Sequence, residues 1–411
     1  MKIGTLIAAT ALTALAACSP GSPTVATSTP PAHSGPQPYV IAMTAGLTSS
    51  REDERTRAEM AKVAATTAIT DVNDHGGIAG RTAELVVLDS QGFPPHSEGP
   101  LQDLIDQGEV DAHLSIGRDT SIVALPILKD ANVLSFNGES TEDSSDPAVY
   151  PLSFDMVPER TRMGDGLEAD LKLRGADRIG ILTESSPAAP ELVSDLTAAL
   201  EDSSFTVAGT EEFTTDSEMR AALRSPKAKD VGTLIYWDEG RHLADALKAK
   251  EALGWAGPVN VINEDVIAVR RATPPGSGVS AIVYRSARNY ENSPQVDRAV
   301  TLMKGAGGIP AEGSLMDAYP WDAIQLIKAA ADEVGGADDP HALARALENP
   351  QVRAAAPLAV LPDYDFSAES HRTVVTGKEF VLVPPRTLVN GQYQFDPHSF
   401  EDLVMPERPA G

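Results

Sequence analysis

Between residues 39 and 262 the chain alternates two hydrophobic periods, and this alternation restricts its fold more than any other feature. Apolar runs of strand length stand at 39–44, 83–88, 110–115 and 132–136. Between them lie stretches with helical spacing: Ala58, Ala61, Ala65, Ala68 or Ile69, and Val72 in the first, then 97–107 and 120–130. A second series follows, with helices expected at 159–174, 190–201, 217–224 and 241–253 and strands at 178–183, 206–211, 232–236 and 259–262. A strand followed by a helix and another strand closes best as a right-handed crossover between parallel strands. Two such series predict an α/β chain with two Rossmann-like parallel-sheet lobes, whose ligand-ready loops lie at the carboxyl ends of the strands. Ser50 and Asp53 suggest a capping box at the start of the first helix, and Gly76-Gly77 its end.

Beyond residue 280 the pattern loosens. A strand is expected at 280–284, helices at 294–304 and 339–347, and a long helical stretch at 314–334 that Pro320 should kink or restart. A late hairpin is expected from 379–384 with 393–395.

The first residues have a different character. Lys2 is followed by an apolar run to Ala17, too short for a transmembrane span of about 20 residues but laid out like a secretory signal. It ends in Leu15-Ala16-Ala17-Cys18, which resembles the bacterial lipobox and implies that Cys18 is the lipidated first residue of the mature chain. Two acyl chains on that thiol suffice for stable anchoring. Residues 19–38 carry six prolines, seven serines or threonines and no Asp, Glu, Lys or Arg, the composition of a tether. The expected organisation is therefore a signal peptide at 1–17, a tether at 18–38 and a folded part from Tyr39, outside the cytoplasmic membrane.

Composition enters as an exclusion. With 59 acidic against 33 basic side chains the formal charge is −26, which argues against a nucleic-acid partner. One cysteine permits no intrachain disulfide and no cysteine-based metal cluster. No nucleophile elbow, phosphate loop or dinucleotide fingerprint is present, and the eight histidines include no His-x-x-x-His pair. Gly305-Ala306-Gly307-Gly308 follows a helix and reads as a turn, while nothing near Ser185-Ser186-Pro187 supplies a general base. No catalytic residue, metal or cofactor is expected.

A run of local motifs carries a family resemblance. Ala68-Ile-Thr-Asp-Val-Asn73, then His75-Gly-Gly-Ile-Ala-Gly-Arg81 and the strand Glu84-Leu-Val-Val-Leu-Asp89, resembles the helix-to-strand turn of type I periplasmic binding proteins, the branched-chain amino-acid group that feeds ABC importers. Leu171-Lys172, Arg174-Gly175-Ala176 and Arg178-Ile179 resemble the start of that family's second lobe, and Leu253-Gly254-Trp255 with Gly257-Pro258 and the stretch 319–326 keep the same order. The resemblance spans roughly 39–347. It implies two lobes joined by a three-strand hinge, with crossings near 155–158, 281–284 and 357–362. Lobe one would hold 39–156 and 284–357, lobe two 157–283 and 358–400, with a tail at 401–411.

The same resemblance implies a site. Thr120 and Ser121 match the family's hydroxyl turn for a ligand carboxylate, and Arg118 is an additional cation beside it. Gly138, Glu139 and Ser140 occupy the next ligand loop. In the second lobe the family's aromatic Tyr-Gly-x-Gly turn is replaced by Ala188-Ala189-Pro190-Glu191. Tyr236 and Trp237 end a strand facing the cleft, and Glu264 stands where the family holds a ligand amine. The implied function is a lipid-anchored, extracytoplasmic solute-binding protein that clamps an amino acid or similar amphoteric or carboxylate compound and hands it to an ABC permease. A ligand sensor or interaction lipoprotein with an altered cleft is the alternative, and an extracytoplasmic hydrolase a more distant one.

Overall fold

Strand β1 (Tyr39–Ala45) is apolar on both faces, with Tyr39, Ile41, Ala42, Met43 and Ala45 all fully buried, so it can only be an inner strand with helices above and below. The computed structural model describes residues 37–138, 143–157, 171, 175–185, 189–200, 205–225, 231–238, 241–261, 267–274, 277–288, 293–373, 380–383 and 388–394. In it β1 lies between β2 (Ala83–Asp89) and β3 (Ala112–Ser115), followed outward by β4 (Leu134–Asn137) and β5 (Ser153–Asp155). All of these pairings are parallel. The connecting helices are α1 (Glu52–Asp74), α2 (Glu98–Asp106) and α3 (Arg118–Ala131).

The second sheet has six strands in the order β11-β10-β9-β8-β6-β7. Its members are β6 (Arg178–Glu184), β7 (Thr206–Phe213), β8 (Thr233–Trp237), β9 (Val259–Val261), β10 (Val279–Tyr284) and β11 (Phe380–Val383). Its helices are α4 (Ala189–Leu200), α5 (Asp216–Arg224), α6 (Leu243–Ala252) and α7 (Ile267–Ala272). Local chemistry starts α5: the Thr215 hydroxyl accepts from the Glu218 N–H while the Glu218 carboxylate accepts from the Thr215 N–H.

Between β10 and β11 the chain returns to the first lobe as α8 (Pro294–Gly305), α9 (Tyr319–Val334), α10 (Pro340–Leu347) and α11 (Pro350–Ala355). Pro320 restarts the helix rather than kinking it. A 3-10 turn at Leu315–Ala318 precedes it, and proline stands in the first turn of α9, where its missing N–H costs nothing. Helix α1 offers α9 a face of small side chains, Ala58, Ala61, Ala64, Ala65 and Ala68, against which Trp321, Ile324 and Ile327 are fully buried. Arg298 of α8 closes the seam by pairing with Asp71 of α1, whose carboxylate also accepts from Gln325 at 2.8 Å.

Three expectations change, and a fourth falls outside the described residues. The first helix has no capping box at Ser50. Arg51 is its N-cap with no side-chain bond, and the Ser49 hydroxyl instead donates to the Glu54 carboxylate at 2.7 Å. The late hairpin does not form among the described residues. Phe380–Val383 pairs antiparallel with β10 at the sheet edge, and Tyr393 makes only an isolated bridge to Arg288. Nor does the chain pass to the second lobe at 358. Leu358, Ala359, Val360, Leu361, Tyr364 and Phe366 are buried beside α9, and the His371 and Asp155 backbones bond at 3.0 Å, so 358–373 packs on the first lobe. Finally, the helix expected at 159–174 lies, except for Leu171, outside the described residues, as do the signal peptide, Cys18 and most of the tether, and the tail.

Candidate functional site

In a parallel sheet the ligand crevice forms where neighbouring strands send their connections to opposite sides. The strand orders place that switch between β1 and β3 in the first lobe and between β6 and β8 in the second. The residues at these four strand ends therefore define the candidate site.

In the first lobe β3 runs into Gly117, whose φ of +96° turns the chain directly into α3. No side chain caps the start of this helix, so the positive end of its dipole and its first N–H groups are presented at the switch point. Arg118 stands in that first turn, half-buried. Thr120 and Ser121, two and three positions further in, are buried. The Thr120 hydroxyl reaches back to the carbonyls of Ile116 (2.9 Å) and Gly117 (2.6 Å), and Ser121 donates to Gly117 at 3.2 Å. Their hydrogens brace the helix start, which leaves the hydroxyl lone pairs and the backbone as their remaining polar surface.

The neighbouring strand β4 ends at Asn137, and Gly138 follows it. The Gly138 N–H is given to the Ser115 carbonyl at 2.9 Å, and the same carbonyl accepts from the Tyr319 hydroxyl at 2.9 Å. Tyr319, from the first turn of α9, thus spans the ends of β3 and β4. At the β1 end, the Glu54 carboxylate lies against Gly46, where an added Cβ would come within 2.5 Å.

In the second lobe, Tyr236 and Trp237 point to opposite faces of β8, as successive strand residues must. Tyr236 is 1% exposed, stacks on Phe213 at 6.1 Å and donates its hydroxyl to Asp238 at 3.1 Å. Burial, and then the neighbouring Asp238, hold that phenol protonated. Trp237 is partly exposed on the other face. Around them is a polar cluster that the sequence did not announce. Glu184 at the end of β6 pairs with Arg241, and the buried Asp238 carboxylate accepts from the His242 N–H at 2.6 Å. The His242 Nδ1 lies 2.6 Å from Asp216. These groups come from three separate segments, 184, 216 and 236–242, so the topology brings them together.

Glu139, Ser140 and Glu264 lie outside the described residues. Among the described residues no group of three or more His, Cys, Asp or Glu is placed to hold a metal ion. Two concavities among the described residues lie away from these strand ends. One, of about 20 Å³, is under α3 between Leu125 and Ser153, and an open groove lies along α8 at Asp297 and Arg298.

Comparison with known proteins gives the arrangement a context. A family model described as periplasmic binding protein matches residues 38–377. The chain is 25% identical to a Leu/Ile/Val-binding protein homolog of Brucella melitensis over 301 residues, 71% of this chain and 78% of the relative. It is 24% identical to the Leu/Ile/Val-binding protein BraC3 of Rhizobium johnstonii over 71% of this chain and 79% of that one. Among solved structures, the isoleucine complex of the substrate binding protein LivJ from Streptococcus pneumoniae superposes with a TM-score of 0.58 at 16% identity, covering 75% of this chain and 88% of that one. A solute binding protein of R. palustris in complex with benzoate gives 0.63 at 15% identity, over 85% and 95%.

Proposed function

The chain belongs to the periplasmic binding protein family, and from that premise we propose that it clamps a small amino-acid-like or carboxylate solute between its lobes and delivers it to an ABC importer. Family membership makes it a solute-binding protein rather than an enzyme and implies an extracytoplasmic location. No helix among the described residues is long and apolar enough to cross a membrane.

One observation supports the choice of solute above the rest: the uncapped positive end of α3, with Arg118 in its first turn, stands at the first-lobe switch point. Backbone N–H groups and a guanidinium together form a receptor for a carboxylate. Relatives named for leucine, isoleucine and valine and the neighbour holding benzoate share a carboxylate in their ligands, and Glu264 is the proposed partner for an amine where the solute has one. In the same proposal Thr120, Ser121 and Gly138 shape the anion end, and Trp237 covers the solute from the second lobe.

Thermal-shift screening of the full chain against leucine, isoleucine, valine, benzoate and simple dicarboxylates tests this. A bound solute at 100 times its Kd is expected to add about 2.7 kcal/mol. Arg118→Ala is expected to weaken binding about ten-fold or more, the loss of one charge-assisted contact. A panel in which no carboxylate shifts the melt, or an Arg118→Ala chain that binds as wild type, rules the assignment out.

Anchoring rests on Cys18. In cells, Cys18→Ser is expected to abolish incorporation of labelled palmitate and move the chain from the membrane to the soluble fraction. Undiminished labelling in that variant would mean the lipid is elsewhere.

A further inference from the structure

Three polar contacts join the short helix α7 of the second lobe to the first lobe. The Ile267 N–H donates to the Asp53 carboxylate at 2.8 Å, although the two residues are 214 positions apart. Arg271 pairs with both carboxylate oxygens of Glu52, at 3.1 and 3.0 Å. Arg270 donates to the Glu312 backbone carbonyl at 2.7 Å and stands 3.4 Å from its carboxylate, which lies 3.8 Å from Arg271 as well.

The contacts differ in kind. Arg271 and Glu52 are each about half exposed, and such a pair contributes little. The Arg270 side chain is 1% exposed and that of Glu312 11%, so this pair is shielded from water only while α7 lies against the 306–318 loop. Glu312 also has a φ of +64°, a left-handed backbone that a non-glycine residue adopts at a cost and that persists only where the surroundings hold it. That conformation turns both its carbonyl and its carboxylate toward Arg270. On the first lobe, the neighbouring Gly313 packs close to Met60 of α1, so the loop has a rigid backing.

We infer that Arg270 and Glu312, with the Asp53–Ile267 contact beside them, form a clasp that holds the two lobes closed on one another and so sets how tightly any solute is retained. Parting the lobes would separate Arg270 from both oxygen atoms of Glu312 and release the first N–H of α7. A solute that stabilises the closed state adds to whatever closure the clasp already supplies, since only differential affinity for the two states shifts the equilibrium. Arg270 is a positioning residue here, acting through its contact with the other lobe. The clasp rests on the solute-binding reading only for its consequence; its existence needs the two-lobe fold alone, so it is tested without any solute.

Amide hydrogen exchange on the full chain provides that test. In Glu312→Gln and in Arg270→Met, exchange is expected to quicken about ten-fold or more in two places at once: α7 on the second lobe and the Gly313 and Leu315 amides on the first. The strands β1 and β6 should keep their wild-type protection. The double variant should exchange no more than about two-fold faster than Arg270→Met alone, because that change already removes the side-chain pair that Glu312→Gln weakens along with the bond to the Glu312 carbonyl. Quickening confined to α7 would show a local effect within its own lobe and overturn the clasp. So would wild-type exchange in both single variants, a multiplicative effect in the double one, or a rise spread equally over β1 and β6.

Discussion

Asp322→Ala is expected to lower the unfolding free energy by roughly 3–5 kcal/mol, because several buried donors lose their acceptor at about 1–3 kcal/mol each, less what relaxation recovers. Asp322 is fully buried in the first turn of α9. One carboxylate oxygen accepts from the Ala359 N–H at 2.6 Å; the other accepts from the N–H groups of Val360 (2.9 Å) and Leu361 (3.2 Å) and from the Tyr364 hydroxyl (2.6 Å). Residues 358–361 form no helix or strand, so this carboxylate does for their backbone what a sheet partner would do. Alanine leaves three N–H groups and a phenol without that acceptor in an apolar core. Asparagine is expected to cost nearly as much, since its NH2 would face N–H donors. A urea-denaturation midpoint unchanged in both variants would show that the strap is held by packing alone.

The same residue gives stability a pH dependence with a definite sign. Burial pushes the Asp322 carboxyl up to about 6, against the four hydrogen bonds that pull it down. Between the ordinary carboxylate range and that value the folded chain binds the extra proton, so this residue's contribution is greatest below about pH 4 and falls as pH rises through about 6. The loss across that window is on the order of 3 kcal/mol. Measured stability should show this component in the wild type and lose it in Asp322→Asn. Parallel pH profiles for the two chains would refute the assignment.

The strap also marks where reading the sequence stops working. The alternation from β1 onward exposes the two-lobe fold because strands buried on both faces and helices with one small-residue face leave periodic traces. Helix α10, which begins with proline behind Asp339, is equally plain; α11 behind Asn349 carries the same signal, although no helix was expected there. Residues 358–373 have no period: the N–H groups of 359–361 share a single acceptor side chain 37 to 39 positions back in the sequence, and His371 bonds to the backbones of Ser145 and Asp155. β11 was legible as a strand but not in its partner, since a four-residue run carries no pairing code. In the site, Thr120, Ser121 and Arg118 were singled out by the family resemblance, and the structure sets them where a strand, a glycine and a helix start follow one another directly. The period of two already separates Tyr236 from Trp237, so only one of them can face a given side. The cluster of Glu184, Asp216, Asp238 and His242 had no local signal at all. Each is one more acid or histidine in a chain with 59 acidic residues until the strand order gathers them.

Gly138→Ala is expected to cost about 2–4 kcal/mol and to distort the first-lobe half of the site, even though the change adds one methyl group. The backbone conformation of Gly138 is not the obstacle; the space is. A Cβ there would lie 2.0 Å from the Tyr319 hydroxyl and 2.5 Å from the ring carbon that bears it. Tyr319 is 3% exposed and fixed by its bond to Ser115, so it cannot swing aside without giving up that bond and repacking the start of α9. Overpacking of this kind costs about 1–3 kcal/mol, and the lost hydrogen bond adds about 1. The clash also makes a prediction about pairs. Tyr319→Ala alone should be destabilising through the cavity it leaves. In that background, however, Gly138→Ala should cost less than about 0.5 kcal/mol, because the atom it would strike is gone. A double-mutant cycle by urea denaturation reads the difference directly. Additive costs would mean that the glycine serves its own backbone and not the tyrosine, and that the end of β4 is shaped locally. A coupling of 1.5 kcal/mol or more, by contrast, would assign the shape of this end of the cleft to a residue 181 positions further along the chain.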